Sequence, residues 1–133
     1  MTIVLDASAA FEVAFNRPHA APIRELLLNA DRVLAPHLFI NEVTNVLAKY
    51  EKGAYLDEQN AQLTLALMLQ YVDEYEDSGE NAVESLHESI HLKHPAYDMF
   101  YFTLARRNAA TLVTMDETLA QIAKSQGVSV AQL

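Results

Sequence analysis

Four carboxylates in this sequence stand where an apolar run stops or turns amphipathic. Asp6 ends Ile3-Val4-Leu5, Glu42 lies in PHLFINEVTNVLAKY, Asp98 lies in HPAYDMFYFTLARR, and Asp116 follows Leu112-Val113-Thr114. A fold that gathers these side chains would present hard oxygen donors of the kind that bind divalent cations. Cations held that way activate water and neutralise charge on a phosphate, so the pattern points to metal-assisted phosphodiester chemistry.

Each residue also has a plainer role. Asp is a favoured N-cap, and both Asp6 and Asp116 precede predicted helices, so capping competes with a site role at both positions. Glu42 could face solvent, yet it is flanked by Ile40 and Val43 and shares a helical face with Asn45 three residues on. Asp98 sits among Tyr97, Met99, Phe100, Tyr101 and Phe102, where a carboxylate is costly unless paired or metal-bound. Ser8 has no suitably placed histidine to make it a nucleophile and is read as a hydroxyl supporting the site or the helix start. His87-Glu88-Ser89-Ile90-His91 matches the H-E-x-x-H zinc-hydrolase pattern, with Asp98 as the one candidate for a third ligand. Tyr97, Phe100 and Tyr101 have helical spacing that favours core packing over base stacking. Arg106 and Arg107 suit a helix C-terminus, with phosphate binding a secondary role.

The elements that must position these groups alternate between short apolar strands and helices. Strands are expected at Thr2 to Leu5, Arg32 to Ala35, Thr111 to Thr114 and Val128 to Val130. Helices are expected from Ala7 to Phe15, from the Pro18 and Pro22 region to Asn29, from Pro36 to Gly53, and from Glu58 to about Tyr75 with Asp57 as N-cap. Asp-Ser-Gly-Glu-Asn at 77–81 breaks the chain, and further helices follow at Ala82 to Leu92, Pro95 to Asn108 and Glu117 to Ser125. Strands separated by helices imply an α/β fold: a central parallel sheet covered on both faces. In such sheets the carboxyl ends of the strands line the binding crevice. Asp6 and Asp116 therefore belong on one rim, toward which Glu42 and Asp98 could point from early helical turns.

Composition limits the remaining choices. The 133 residues, 51% of them hydrophobic, suffice for one domain with a full core, and no linker or repeat divides residues 1–133. No apolar run is long enough to span a bilayer, and no signal-peptide pattern opens the chain, so a soluble cytoplasmic protein is expected. The absence of cysteine excludes disulfides and thiolate metal sites. A formal charge of −9 opposes non-specific phosphate binding. Two divalent ions would add +4 and take −9 to −5, so nucleic-acid binding is expected to be metal-dependent and local. The acidic residues Asp73, Glu74, Glu76, Asp77, Glu80 and Glu84 read as a solvated helix end and loop.

The segments IVLDASA, NEVTNVL and HPAYDMFYFTLARRNAATLVTMDETL, in that order and spacing, closely resemble PIN-domain ribonucleases, particularly VapC-type toxins of toxin–antitoxin pairs. The resemblance runs over essentially the whole chain. It implies a three-layer PIN-like fold with a Mg2+ or Mn2+ site at the sheet rim, held by Asp6, Glu42, Asp98 and Asp116, with Thr114, Ser8 and Asn45 as supporting polar groups. It also implies an RNA substrate, transfer RNA among the candidates, a cognate antitoxin that covers the active site, and a homodimer. The pattern departs at Asn41, where serine is common, and at Asn108-Ala109, where glycine is often seen.

Three alternatives stand beside this expectation. A non-catalytic or weakly active PIN-fold binding module would bind metal without turnover, and the heavy acidic charge suits it. A zinc hydrolase would use the HESIH segment, which in the family is ordinary helix. A phosphoryl-transfer domain would use Asp6 as nucleophile, but Ala7-Ser8 follows Asp6 where a second aspartate would be required.

Overall fold

Ile3, Val4 and Leu5 are completely buried, which requires a strand with neighbours on both edges and packing on both faces. The computed structural model, which describes residues 1–133, supplies both. β1 (Thr2–Leu5) lies between β2 (Arg32–Pro36) and β4 (Thr111–Val113), and β3 (Glu74–Glu76) pairs with the far edge of β2. The order β3-β2-β1-β4 is parallel throughout. Parallel neighbours require crossovers, made here by six helices, α1 (Ala7–Ala14), α2 (Ala20–Asn29), α3 (Leu38–Lys52), α4 (Glu58–Leu69), α5 (Ala82–Leu92) and α6 (Ala96–Arg107), and α7 (Glu117–Ser125) follows β4. α6 packs on β1, β2 and β4 with α5 against it, while α1 contacts α2, α3 and α4. The expected α/β architecture, a parallel sheet flanked by helices, is thus the one observed. No helix is long and apolar enough to cross a membrane.

The helices that carry site residues are anchored by apolar stripes. Phe39, Val43 and Leu47 of α3 recur at four-residue spacing and are buried, which fixes the rotation of α3 and with it the direction of Glu42. In α6, Met99, Phe102 and Leu104 enter the same core, so the first turn of that helix is held against the sheet. Each such fully buried side chain contributes about 1.5–3 kcal/mol relative to exposure.

The structure departs from the expected elements in three places. The helix expected to run to Tyr75 stops at Leu69, and Glu74–Glu76 forms the edge strand β3. Its Glu-Tyr-Glu sequence lacks an apolar run because hydrogen bonds and charge hold it: Arg32 donates twice to Glu74 at 3.0 Å, and Asp73 accepts the Val33 N–H at 2.8 Å. The acidic stretch is therefore partly engaged rather than simply solvated. Pro36 ends β2 instead of opening α3, and Val128 to Val130 contributes a single bridge, Leu112 to Val130, rather than a strand.

Candidate functional site

The chain adds β2 and β3 on one side of β1, then returns to add β4 on the other, so β1 and β4 flank a topological switch point. Ligands of open α/β sheets bind in the crevice at such a point, outside the carboxyl ends of the strands. Register brings two residues together there. Leu5 pairs with Val113, which sets Asp6 beside Thr114, and the Asp6 N–H donates to the Val113 carbonyl at 3.0 Å.

Asp6 is 7% exposed, and its carboxylate does not cap α1. Oδ2 instead accepts from the Thr114 hydroxyl at 2.6 Å and the Ser8 hydroxyl at 2.8 Å, leaving Oδ1 without a side-chain partner. Ser8 Oγ is itself held by the Met115 N–H at 3.0 Å. Burial raises the Asp6 pKa, the two hydroxyls oppose the rise, and the charge of Asp98 adds to it.

Glu42 lies in the second turn of α3, where Oε1 accepts from the Tyr101 hydroxyl at 2.5 Å. Burial pushes its pKa up to about 7, with Asp6 and Asp98 adding repulsion and the Tyr101 bond opposing. Tyr101 is wholly buried, and its phenol is raised well above the usual range, first by burial and then by the charges of Asp6 and Glu42. It therefore remains protonated and serves as a fixed donor. Asp98 occupies the first turn of α6, where the helix dipole favours a carboxylate, and contacts His94 Nε2 at 2.6 Å.

Asp6, Glu42 and Asp98 thus lie within electrostatic reach of one another, whereas Asp116 stands apart from that set. Its Oδ1 caps α7 by accepting the Leu119 N–H at 3.1 Å, and its own N–H donates to Thr114 Oγ1 at 3.0 Å. Thr114 consequently links the rim residue Asp116 to Asp6. Asn45 is exposed and shares with Glu42, Leu38, Asn41 and Tyr97 a shallow depression of about 340 Å³. A second depression, of about 490 Å³, is lined by Thr114, Asp116, Glu117, His19 and Lys124 among others. Asp6 and Asp98 line neither, and the larger opening is not by itself the marker of the chemistry.

No lysine or arginine pairs with any of the four carboxylates; the arginines make their ion pairs elsewhere. The three carboxylates of Asp6, Glu42 and Asp98 repel one another, carry only oxygen donors and have no lysine or arginine partner, with His94 alone meeting Asp98, a set that fits a hard divalent cation. No three of the side chains, as they stand, enclose an ion between them.

Two residues at the site escaped the sequence reasoning. Tyr101 was expected in the core, where it lies, but its hydroxyl reach to Glu42 was not foreseen. His94 has a detectable signal, since it stands four residues before Asp98. The other aromatic residues diverge: Tyr97 is 67% exposed and Phe100 half-buried. In the HESIH segment both histidines are exposed on α5, while Glu88 is turned inward onto Arg106 at 2.8 Å. No third ligand joins them, so the zinc-hydrolase arrangement is not assembled. Arg106 and Arg107 are committed to Glu84, Glu88 and the Glu80 carbonyl rather than presented to a phosphate.

Fold and site together define a parallel α/β protein with a recessed acidic group at a sheet switch point. The chain belongs to the PIN-domain family, whose match covers residues 3–125, and PIN domains are generally nucleases. Among solved structures it is similar to PAE2754 from Pyrobaculum aerophilum, with a TM-score of 0.73 and 23% identity over 98% of this chain and 83% of that one. It is also similar to VapBC2 from Rickettsia felis bound to a DNA fragment from their promoter, with a TM-score of 0.72 and 15% identity over 100% of this chain and 99% of that one. At such identities the likeness establishes the fold. No curated protein matches the sequence.

Proposed function

We propose that the protein is a divalent-metal-dependent endoribonuclease, acting as the toxin of a toxin–antitoxin pair. The observation that carries this reading is Asp6: a buried carboxylate at the switch point, held by two hydroxyls, within reach of Glu42 and Asp98, and left without a basic partner. Membership of a family of nucleases supports the reaction class, and the likeness to the VapBC2 structure supports the toxin role.

Asp6, Glu42 and Asp98 are the ligands in this proposal, with Asp116 completing the rim. Bound Mg2+ or Mn2+ would supply Lewis-acid activation of water and neutralise charge on the phosphate. The chain's own groups do the positioning. Thr114 and Ser8 fix the Asp6 carboxylate through Oδ2 and leave Oδ1 turned elsewhere. Tyr101 fixes Glu42 through Oε1, so Oε2 is the oxygen left to meet an ion or its bound water. His94 holds Oδ2 of Asp98, and Asn45 lies one helical turn beyond Glu42 to contact substrate. The acidic surface suits an antitoxin with a basic segment, and a homodimer is the expected free form.

The test is cleavage of total and transfer RNA by purified protein with Mg2+, Mn2+ or EDTA, beside Asp6→Asn and His91→Ala. Cleavage that requires Mg2+ or Mn2+, disappears with Asp6→Asn and survives His91→Ala supports the proposal. A folded wild type that binds Mn2+ yet leaves every RNA intact would instead make the protein a binding module. Co-purification with the product of the neighbouring gene tests the antitoxin.

A further inference from the structure

Tyr97 and Tyr101 stand one helical turn apart in α6, yet they end in opposite environments. Tyr101 is buried on Glu42, whereas Tyr97, in the first turn, is 67% exposed. Tyr50, Tyr55 and Tyr75 each set a ring against another aromatic side chain, a contact that Tyr97 lacks. The Tyr97 ring instead lines the depression of about 340 Å³ together with Leu38, Asn41, Glu42 and Asn45 of α3. Leu38, Asn41 and Asn45 recur at three- and four-residue spacing, so they form one stripe along that helix. The carboxamides of Asn29, Asn60, Asn81 and Asn108 bond to the chain's own groups. Those of Asn41 and Asn45 stand exposed, with donors and an acceptor to offer a ligand.

We propose, resting on the nuclease reading above, that this depression seats one unpaired nucleobase of the RNA, stacked on Tyr97 and read along its edge by Asn41 and Asn45. Glu42 belongs both to the depression and to the acidic group, and Tyr97 adjoins Asp98 in the chain. A base seated here therefore lies on a nucleotide next to the phosphate held at the carboxylates. No lysine, arginine or histidine lines the depression, which disfavours a phosphate as its occupant and leaves a neutral group. A base is neutral, presents an apolar face to the ring, and carries donors and acceptors along its edge. Stacking on an aromatic side chain accepts every base, while a carboxamide pairs bidentately with adenine, so adenine is the preferred occupant. In a duplex both faces of a base are stacked and its edge is paired. The substrate is accordingly single-stranded at this position: a loop, a bulge or an end. An uncharged anchor also suits a chain of net charge −9, in which phosphate contacts contribute little.

Fluorescence titration of a single-stranded hexaribonucleotide carrying one 2-aminopurine, whose emission is quenched by stacking, tests the site in the full chain with Mg2+. Asp6→Asn serves as the background, so that the strand stays intact. Binding should quench the probe. Adding Tyr97→Leu should abolish the quenching and weaken binding about tenfold, while Tyr97→Phe should keep both. Tyr97 is exposed, so neither change disturbs the core. Asn41→Ala with Asn45→Ala should keep the quenching and lose a preference of about fivefold or more for adenine-containing over uracil-containing competitors. In a chain that retains Asp6, Tyr97→Leu should raise KM for RNA cleavage about tenfold with kcat held within about twofold. No quenching in the Asp6→Asn chain, or quenching and affinity unchanged by Tyr97→Leu, would overturn the base site whether or not the wild type cuts RNA. Quenching that requires Tyr97 in a protein whose wild type cuts no RNA would keep the base site and remove the nuclease reading. Loss of antitoxin binding or of self-association in Tyr97→Leu, with quenching intact, would assign the ring to a protein partner and overturn the proposal.

Discussion

The two ends of α6 handle carboxylates in opposite ways. Near its C-terminus, Arg106 donates to Glu84 at 2.6 Å and Glu88 at 2.8 Å while lying 4.8 Å from the centroid of the Phe102 ring, and Arg107 adds a contact to Glu84. Near its N-terminus, Asp98 has only His94, and Tyr101 offers Glu42 a neutral hydroxyl. Charge is cancelled at one end and accumulated at the other. The difference teaches that acidic residues alone do not mark a site in this chain; the marker is a recessed carboxylate held by groups that orient it without neutralising it. Such a group destabilises the fold wherever no cation compensates its charge.

Asp6→Asn gives the largest expected effect. RNA cleavage should fall by at least about 10³-fold, equivalent to about 4 kcal/mol of lost transition-state stabilisation. The melting temperature of the metal-free protein should hold or rise, because the charge removed was buried without a basic partner. A rate within tenfold of wild type would erase the distinction between the two ends of the helix. Arg106→Ala makes the opposite change. It strands the mostly buried Glu88 and should cost about 2–3 kcal/mol in urea unfolding, with cleavage unchanged well below the melting temperature. Adding Glu88→Gln should recover part of the loss, since the stranded charge is then gone.

The pH dependence of stability separates the ends next. The folded pKa of Glu42, about 7, lies above its ordinary value of 4.5. The folded protein thus keeps a proton that the unfolded chain has released, and stability falls as pH rises between those two values. Below that window both states are protonated and the penalty is absent. Glu42→Gln should flatten this slope and be the more stable form at pH 7.5 by on the order of 1–2 kcal/mol, a figure reduced from the full shift because the group is partly solvent-screened. Thermal unfolding at pH 4 to 8, without and with Mg2+, checks this. Mg2+ should selectively stabilise wild type at the upper end, and a wild-type slope identical to that of the variant would remove the strain assigned to Glu42.

Much of this contrast was legible in the sequence, for reasons that differ by residue. Asp6 and Asp116 were visible because each follows an apolar strand, and the carboxyl ends of such strands locate a crevice. Which of them serves as a cap was not visible. An N-cap position fixes the backbone, but whether the side chain turns to its own helix depends on a competing partner, and Asp6 finds Thr114 across the sheet while Asp116 finds Leu119. Asp98 was visible as a charge in an aromatic helix, but the hydroxyl of Tyr101 was hidden by its own ring, which reads as core. β3 escaped because an edge strand held by Arg32 and Asp73 needs no apolar alternation. The commitment of Arg106 and Arg107 to α5 escaped because it depends on how two helices cross, which no spacing within either helix reveals.

The cap at Asp116 carries a smaller prediction. Asp116→Ala should lose about 1 kcal/mol as the N-terminus of α7 loses its acceptor, while Asp116→Asn should retain most of it. If the charge also serves the proposed metal site, Asn should keep the stability and lose cleavage. Equal cleavage by Asn and wild type would limit Asp116 to its structural role.

The smallest effect belongs to the turn that follows α6, and it sharpens the contrast from the structural side. Ala109 has φ of 48°, in the left-handed region, and the helix closes with a Schellman pairing: Ala109 N–H to the Arg106 carbonyl and Ala110 N–H to the Ala105 carbonyl. That conformation is where glycine usually stands, which accounts physically for the glycine that the resemblance led one to expect here. A left-handed alanine costs about 1–2 kcal/mol, while glycine costs about 0.5–1 kcal/mol in extra chain entropy. Ala109→Gly should therefore stabilise by about 0.5–1 kcal/mol in urea unfolding. Cleavage should not change, because Ala105, Ala110 and the arginines they bracket serve packing and charge cancellation, and Asp98 lies at the far end of a helix already clamped by its core residues. Stabilisation accompanied by altered cleavage would mean that strain at Ala109 reaches Asp98 along α6, and the two ends would then have to be treated as one device.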